Sequence, residues 1–176
     1  MSSRAERERL FFALFPTAVV RRAIEGIQQR YLFEARPVMA EHFHITLAFL
    51  GEQPVDRLDA LRTLADSMQL PACSLRLDRM GSFARSAVGF LAPSDLPPEL
   101  QVFRGILVER LDECGFAMDR KPWRPHLTLY RKMRKPCARI PIESVDWPVR
   151  TFSLVSSRLE KTGPVYQGLG RWNAVG

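Results

Sequence analysis

The stretch Glu41 to Gly51, EHFHITLAFLG, places a histidine and a threonine two residues apart in an otherwise apolar run. The arrangement returns in RPHLTLYR, Arg124 to Arg131. Both copies read H-φ-T-φ, with φ an apolar residue: His44-Ile45-Thr46-Leu47 and His126-Leu127-Thr128-Leu129. Each copy follows a polar connection containing arginine and proline, ARPVMAEHF before the first and DRKPWRP before the second. The copies stand close to half the chain apart, so the chain reads as two related halves.

In a strand, side chains at i and i+2 point to one face, roughly 6.5–7 Å apart. His44 and Thr46 therefore share a face, and Ile45 and Leu47 enter a core on the other. The same holds for His126 and Thr128. Packed with approximate two-fold symmetry, the halves line one groove with two imidazoles and two hydroxyls. That set suits phosphodiester cleavage without a metal: one neutral imidazole takes a proton from water, and the other, protonated, gives one to the departing ribose oxygen. Spacing does not decide which histidine plays which part. The threonine hydroxyls, helped by arginine or lysine, donate to the non-bridging phosphate oxygens. The third histidine, His42, could form a metal pair with His44, but no Cys, Asp or Glu at suitable spacing completes a ligand set. We expect no metal and no cofactor.

Outside the motifs, RLFFALF (9–15) reads as a buried strand. Thr17 is the expected N-cap of a helix over 18–32, with Val20, Ile24, Ile27 and Tyr31 inward and Arg21, Arg22, Glu25 and Gln28 left to solvent. VDRLDALRTLADSM (55–68) reads as a second amphipathic helix. CSLRLDRM (73–80) and AVGFLA (87–92) read as paired strands around a turn at Gly81 to Arg85. A helix capped by Ser94 runs to about Cys114, with Gly115 as its stop. The basic run RKMRKPCARIP reads as a loop, followed by strands at 150–160 and around 165–172. The order implies an α+β fold with antiparallel sheet.

The chain has 176 residues, a formal charge of +7 and 46% hydrophobic residues. This accommodates one domain of two intimately packed lobes, residues 1–176, excludes a wholly disordered chain, and favours an anionic partner. Three dispersed cysteines, Cys73, Cys114 and Cys137, argue against a disulfide framework and for a reducing, cytoplasmic setting. The N-terminal MSSRAERERLFFALFP mixes charges and is broken by Pro16, so it reads as the start of a strand and not as a targeting signal; no segment is apolar enough to span a membrane.

The paired motifs, with RLFFAL, FSLVSSRL and the closing GPVYQGLGRW, resemble the 2H phosphoesterases, and within them the bacterial and archaeal RNA 2′,3′-cyclic phosphodiesterases of the LigT group, once called 2′-5′ RNA ligases. The resemblance implies a two-lobed fold, with pseudo-two-fold duplicated antiparallel sheets and outer helices around a central, basic cleft. It implies hydrolysis of RNA or nucleotide 2′,3′-cyclic phosphates to 2′-phosphates, with His44 as proton donor, His126 as proton acceptor, and Thr46 and Thr128 holding the phosphate. Arg131 falls where the family often carries a basic residue. In a regular strand it would face away from Thr128, and a bulge or strand end would turn it back. Phe11 or Phe12, Phe49 and Tyr166 are candidate aromatic neighbours of the cleft, Arg85 is a candidate phosphate contact from its turn, and the basic loop after the second motif is a candidate guide for the RNA backbone. The expected partner is an RNA end or nucleotide bearing a cyclic phosphate, and the expected state a monomer. Two alternatives stand beside hydrolysis: 2′-5′ ligation by the same residues, and a non-catalytic RNA-binding module.

Overall fold

The structure, a computed structural model, describes residues 6–161 and 163–175. Met1 to Ala5, the start of the stretch considered above as a targeting signal, lie outside them. Strand β1 (Arg7–Leu14) leads into helix α1 (Ala18–Arg30) and the short β2 (Arg36–Pro37). β3 (Ile45–Pro54) carries the first motif, followed by α2 (Leu58–Asp66), β4 (Leu70–Pro71), β5 (Cys73–Phe83), β6 (Val88–Pro93) and α3 (Pro98–Glu113). β7 (Leu127–Arg131) carries the second motif, and β8 (Ile140–Val149), β9 (Thr151–Glu160) and β10 (Gly163–Val175) complete the chain.

The strands run in the order β4-β10-β9-β1-β3-β7-β6-β5-β8, with β2 paired to β7. All pairings are antiparallel except β4 with β10. The motif strands meet at the centre through one residue pair, Ile45 opposite Leu127. Continued by one residue either way, that register sets His44 opposite Thr128 and His126 opposite Thr46. The duplicated α+β arrangement expected from the sequence is present, with lobe one built on β10-β9-β1-β3 and lobe two on β7-β6-β5-β8.

β1 shows how the halves are lined. Leu10, Phe12 and Leu14 are fully buried in the main core, while Phe11 and Ala13 face the other way into a small cluster with Val155, Phe15 and Tyr166. Each large apolar side chain moved into such a core contributes about 1.5–3 kcal/mol. Thr17 caps α1 as expected, its hydroxyl accepting from Val20 N at 3.4 Å, and Val20, Ile24 and Ile27 are buried. The helices cross over: α1 follows β1 yet packs on β8, and α3 follows β6 yet packs against β3 and β4. The two lobes therefore share their helices, which is why no linker separates them in the sequence.

Three expectations need correction. Ser94 does not cap α3; its N–H and hydroxyl donate to the Asp78 carboxylate at 2.8 and 2.6 Å. The helix starts after Pro97 with Pro98 in its first turn and no side-chain cap, since charge-assisted bonds to Asp78 outweigh a neutral cap and proline has no orphan N–H to satisfy. β8 goes unnoticed in the sequence because Pro141, Glu143, Asp146 and Pro148 obscure its period, with only Val145, Trp147 and Val149 buried. Prolines are tolerated there because β8 is an edge strand. The β5–β6 turn spans 84–87, later than expected, with Ala87 at φ 53°. Among the described residues no helix is long and apolar enough to cross a membrane.

Candidate active site

Both histidines sit immediately before their strands, and both are oriented in the same way. Nδ1 of His44 lies 2.7 Å from the His42 carbonyl, and Nδ1 of His126 lies 2.7 Å from the Arg124 carbonyl. A carbonyl only accepts, so each Nδ1 carries the hydrogen and each neutral ring keeps its lone pair on Nε2. Two imidazoles of one tautomer thus come from the two lobes, with no carboxylate partner among the described residues.

Each ring is walled by aromatics. Phe11, Phe15 and Tyr166 stand 5.2, 5.5 and 5.4 Å from His44, centroid to centroid. Phe83 and Phe90 stand 5.0 and 5.8 Å from His126. Of the pair Phe11 and Phe12, Phe11 reaches the cleft and Phe12 the core. Burial, opposed by the carbonyl hydrogen bond and reinforced by the Arg131, His126 and His42 charges, pushes the His44 pKa down to about 4. Burial, again with Arg131, also lowers that of His126. Both rings of the free protein are neutral at pH 7.

Arg131 reaches the cleft because β7 bulges. Thr128 pairs with Phe90 and Tyr130 with Gly89, leaving Leu129 as an extra residue. The extra residue reverses the parity that would have turned Arg131 away. The bulge is tied down: the Leu129 carbonyl accepts from Val38 N at 2.8 Å and from Gln28 Nε2 at 2.9 Å. Gln28, left to solvent in the sequence reading, is thus a fixed part of the site's support, and nothing in helical periodicity signals a bond that long in sequence. Gly89 lies opposite the bulge, where a Cβ would come within 2.7 Å of Met133 Sδ and displace that flexible side chain.

β3 bulges at the matching position. Ala48 pairs with Phe12 and Thr46 with Ala13, so Leu47 is the extra residue, and its carbonyl accepts from Arg104 Nε at 3.2 Å. Trp123 Nε1 donates to the Thr46 carbonyl at 3.0 Å, fastening the segment before the second motif to the first.

Two cavities flank the strand junction, as the register requires. One, of about 490 Å³, is lined by His44, Thr128, Arg131, Lys132 and Tyr166 among others. Tyr166 lines this cavity beside Arg131, and burial raises the pKa of its hydroxyl. The other, of about 840 Å³, is lined by Thr46, Phe49, Phe83, Trp123, Arg124 and His126 among others. Phe49 lies at its rim, half exposed, with the Arg9 guanidinium 4.8 Å above its ring. Arg85 is exposed in the 84–87 turn and lines neither cavity. Nothing in the sequence singles out Phe15, Phe83, Phe90 or Trp123; only the pairing of β5, β6 and β7 brings Phe83 and Phe90 to His126. His42 lies in the turn before β3, its ring 4.8 Å from Tyr166. Among the described residues no group of three or more His, Cys, Asp or Glu side chains converges.

Residues 15–160 match the model of the 2′-5′ RNA ligase superfamily. The chain is 33% identical over 172 residues to the RNA 2′,3′-cyclic phosphodiesterase of Escherichia coli K12, covering 96% of this chain and 97% of the relative. It is 32% identical to the protein of the same description from Thermus thermophilus, covering 96% and 91%. The crystal structure of E. coli LigT complexed with 3′-AMP superposes with a TM-score of 0.89 at 30% identity, over 97% of this chain and all of that one. With its two motifs facing each other across the joint of duplicated lobes, the chain belongs to the 2′-5′ RNA ligase superfamily, among its RNA 2′,3′-cyclic phosphodiesterases.

Proposed function

We propose that this protein hydrolyses the 2′,3′-cyclic phosphate of an RNA end or nucleotide to a 2′-phosphate and a free 3′-hydroxyl, with two histidines and no metal. The observation that carries the mechanism is the matched pair of imidazoles, each with Nδ1–H held by a backbone carbonyl, which leaves Nε2 for proton transfer, and each lining a cavity at the strand junction. The phosphate lies between Thr46 and Thr128, with Arg131 donating to its non-bridging oxygens. His126 takes a proton from the attacking water as the new P–O bond forms. His44 delivers a proton to O3′ as the P–O3′ bond breaks. Burial, with a smaller contribution from the Arg131 charge, holds His44 deprotonated in the free protein; a bound phosphate anion offsets the Arg131 charge and raises the imidazole pKa where the proton is needed. The aromatic walls offer stacking faces to a base. A module that only bound phosphate would have no use for two half-buried titrating rings.

Phosphorus NMR of 2′,3′-cyclic AMP with the protein in EDTA tests the reaction: the native protein converts it to the 2′-phosphate, and the His44→Ala and His126→Ala proteins do not. Activity that disappears on chelation refutes the metal-free scheme. The separate roles are tested with a substrate in which sulfur replaces the bridging O3′. Its leaving group needs no acid, so it restores turnover to the variant lacking the donor and not to the one lacking the acceptor. Ligation is the same step with a ribose hydroxyl in place of water, and the family carries that name; adding a 5′-hydroxyl RNA to the assay reads the partition.

A further inference from the structure

Beside the histidine cleft a third cavity, of about 480 Å³, opens on the face of lobe one and shares Glu41 and Tyr166 with the cavity at His44. Three arginines line it: Arg21 from α1, Arg150 from the β8–β9 link and Arg171 from β10. None of the three forms an ion pair among the described residues. The Nε of Arg21 is shielded from solvent yet has no hydrogen-bond partner. A guanidinium atom that has lost its water without gaining an acceptor is costly unless a ligand supplies one. The same cavity is lined by Thr17 at the start of α1, whose first turn contains no acidic residue, and by Thr151 and Ser153 of β9. The one carboxylate on the rim, Glu41, is exposed.

We propose that this cavity is a second phosphate subsite, which takes the phosphate on the 5′ oxygen of the nucleotide whose cyclic end lies at His44 and His126. The inference rests on the reading of that cleft as the cyclic phosphodiesterase site. Its basis is direct continuity: Tyr166 borders both cavities, so a nucleotide with its cyclic phosphate at Thr128 and Arg131 passes the tyrosine on its way to the arginines. Planar guanidinium groups bind phosphate oxygens in pairs, which three arginines and two or three hydroxyls around one cavity provide for. The subsite makes the protein an enzyme of polynucleotide ends in preference to cyclic mononucleotides.

Three substrates separate the possibilities: 2′,3′-cyclic AMP, the same nucleotide with a 5′-phosphate, and the dinucleotide ApA ending in a cyclic phosphate. The native protein is expected to show kcat/KM at least about tenfold higher for the second and third than for the first, as one charge-assisted contact provides. The Arg21→Gln/Arg150→Gln/Arg171→Gln protein is expected to lose that advantage and keep its rate on 2′,3′-cyclic AMP within about twofold. An advantage for the dinucleotide alone identifies an internucleotide phosphodiester as the ligand; an equal advantage for both identifies the phosphate itself. Equal native values for all three substrates, or a variant that loses activity on all alike while its circular dichroism is unchanged, would overturn the proposal. Should the native protein turn over none of them, the cyclic phosphodiesterase reading fails. Calorimetric binding of ApA 3′-phosphate against adenosine 3′-phosphate, native against variant, then decides the subsite by itself. Arg21→Lys is the control for folding, retaining charge and part of the advantage.

Discussion

The two motif strands repeat one device and finish it differently. Each has its histidine ahead of the strand with Nδ1 on the carbonyl two residues back, and each bulges at the leucine after its threonine. Each bulge carbonyl accepts from a helix that arrived from the other half of the chain, Leu129 from Gln28 on α1 and Leu47 from Arg104 on α3. Three residues beyond the threonine they part. Lobe two places Arg131 there, and lobe one places Phe49, with the cation displaced to Arg9 above its ring. A symmetric pair of strands thus carries an asymmetric charge, and a reaction needing one acid and one base needs that asymmetry.

The comparison breaks first at the histidines. Replacing either His44 or His126 by alanine is expected to lower kcat about 10²–10⁴-fold, measured by phosphorus NMR on 2′,3′-cyclic AMP. A variant that keeps turnover leaves its half of the device decorative. Next, Arg131→Gln is expected to lower kcat about 10²-fold, while Phe49→Ala at the matching position changes it less than about threefold. The same Arg131 substitution should raise the His44 pKa from its depressed value, read by histidine NMR titration, because a Coulombic penalty is removed.

A smaller effect is expected at Gln28. Gln28→Ala frees the Leu129 bulge and lowers kcat about three- to tenfold at a stability cost of about 1 kcal/mol. In the Arg131→Gln background the kcat loss disappears, since the two residues act in series. Arg104→Ala at the partner bulge should leave kcat on the Arg131 side unchanged, which stopped-flow kinetics would check.

The pH dependences are the gentlest readout. Both histidines of the free cleft titrate below the ordinary value of 6.5, so kcat/KM is expected to peak below pH 6.5 and fall on the alkaline side. For stability, the folded state holds His44 at about 4 against 6.5 unfolded, so between those values the unfolded chain binds more protons. Stability is full above pH 6.5 and declines as pH falls toward 4. His44→Gln should flatten that decline in thermal melts at pH 7, 6 and 5; an unchanged slope would remove burial of this ring as its cause.

Much of this was legible in the chain. Repetition of H-φ-T-φ identified both catalytic candidates, since period two fixes which side chains share a face before any packing is known. The apolar spacing of α1 and its Thr17 cap are local properties, read correctly for the same reason. The Ser94 cap failed because a carboxylate sixteen residues earlier, Asp78, took the hydroxyl. Arg131 was the sharpest case: a regular strand would turn it from the threonine, and the parity was reversed by Leu129, an unpaired residue visible only against the register of β6.

By itself, then, the sequence determined the two motifs, the duplicated α+β plan and the residues able to move protons, all consequences of short-range periodicity and side-chain chemistry. Tertiary structure alone decided which face Arg131 occupies, that Gln28 and Arg104 secure the bulges from opposite halves, and that Arg21, Arg150 and Arg171 converge on one cavity. Those contacts join residues far apart along the chain, and no local preference encodes a meeting that exists only once the sheet has closed around its centre.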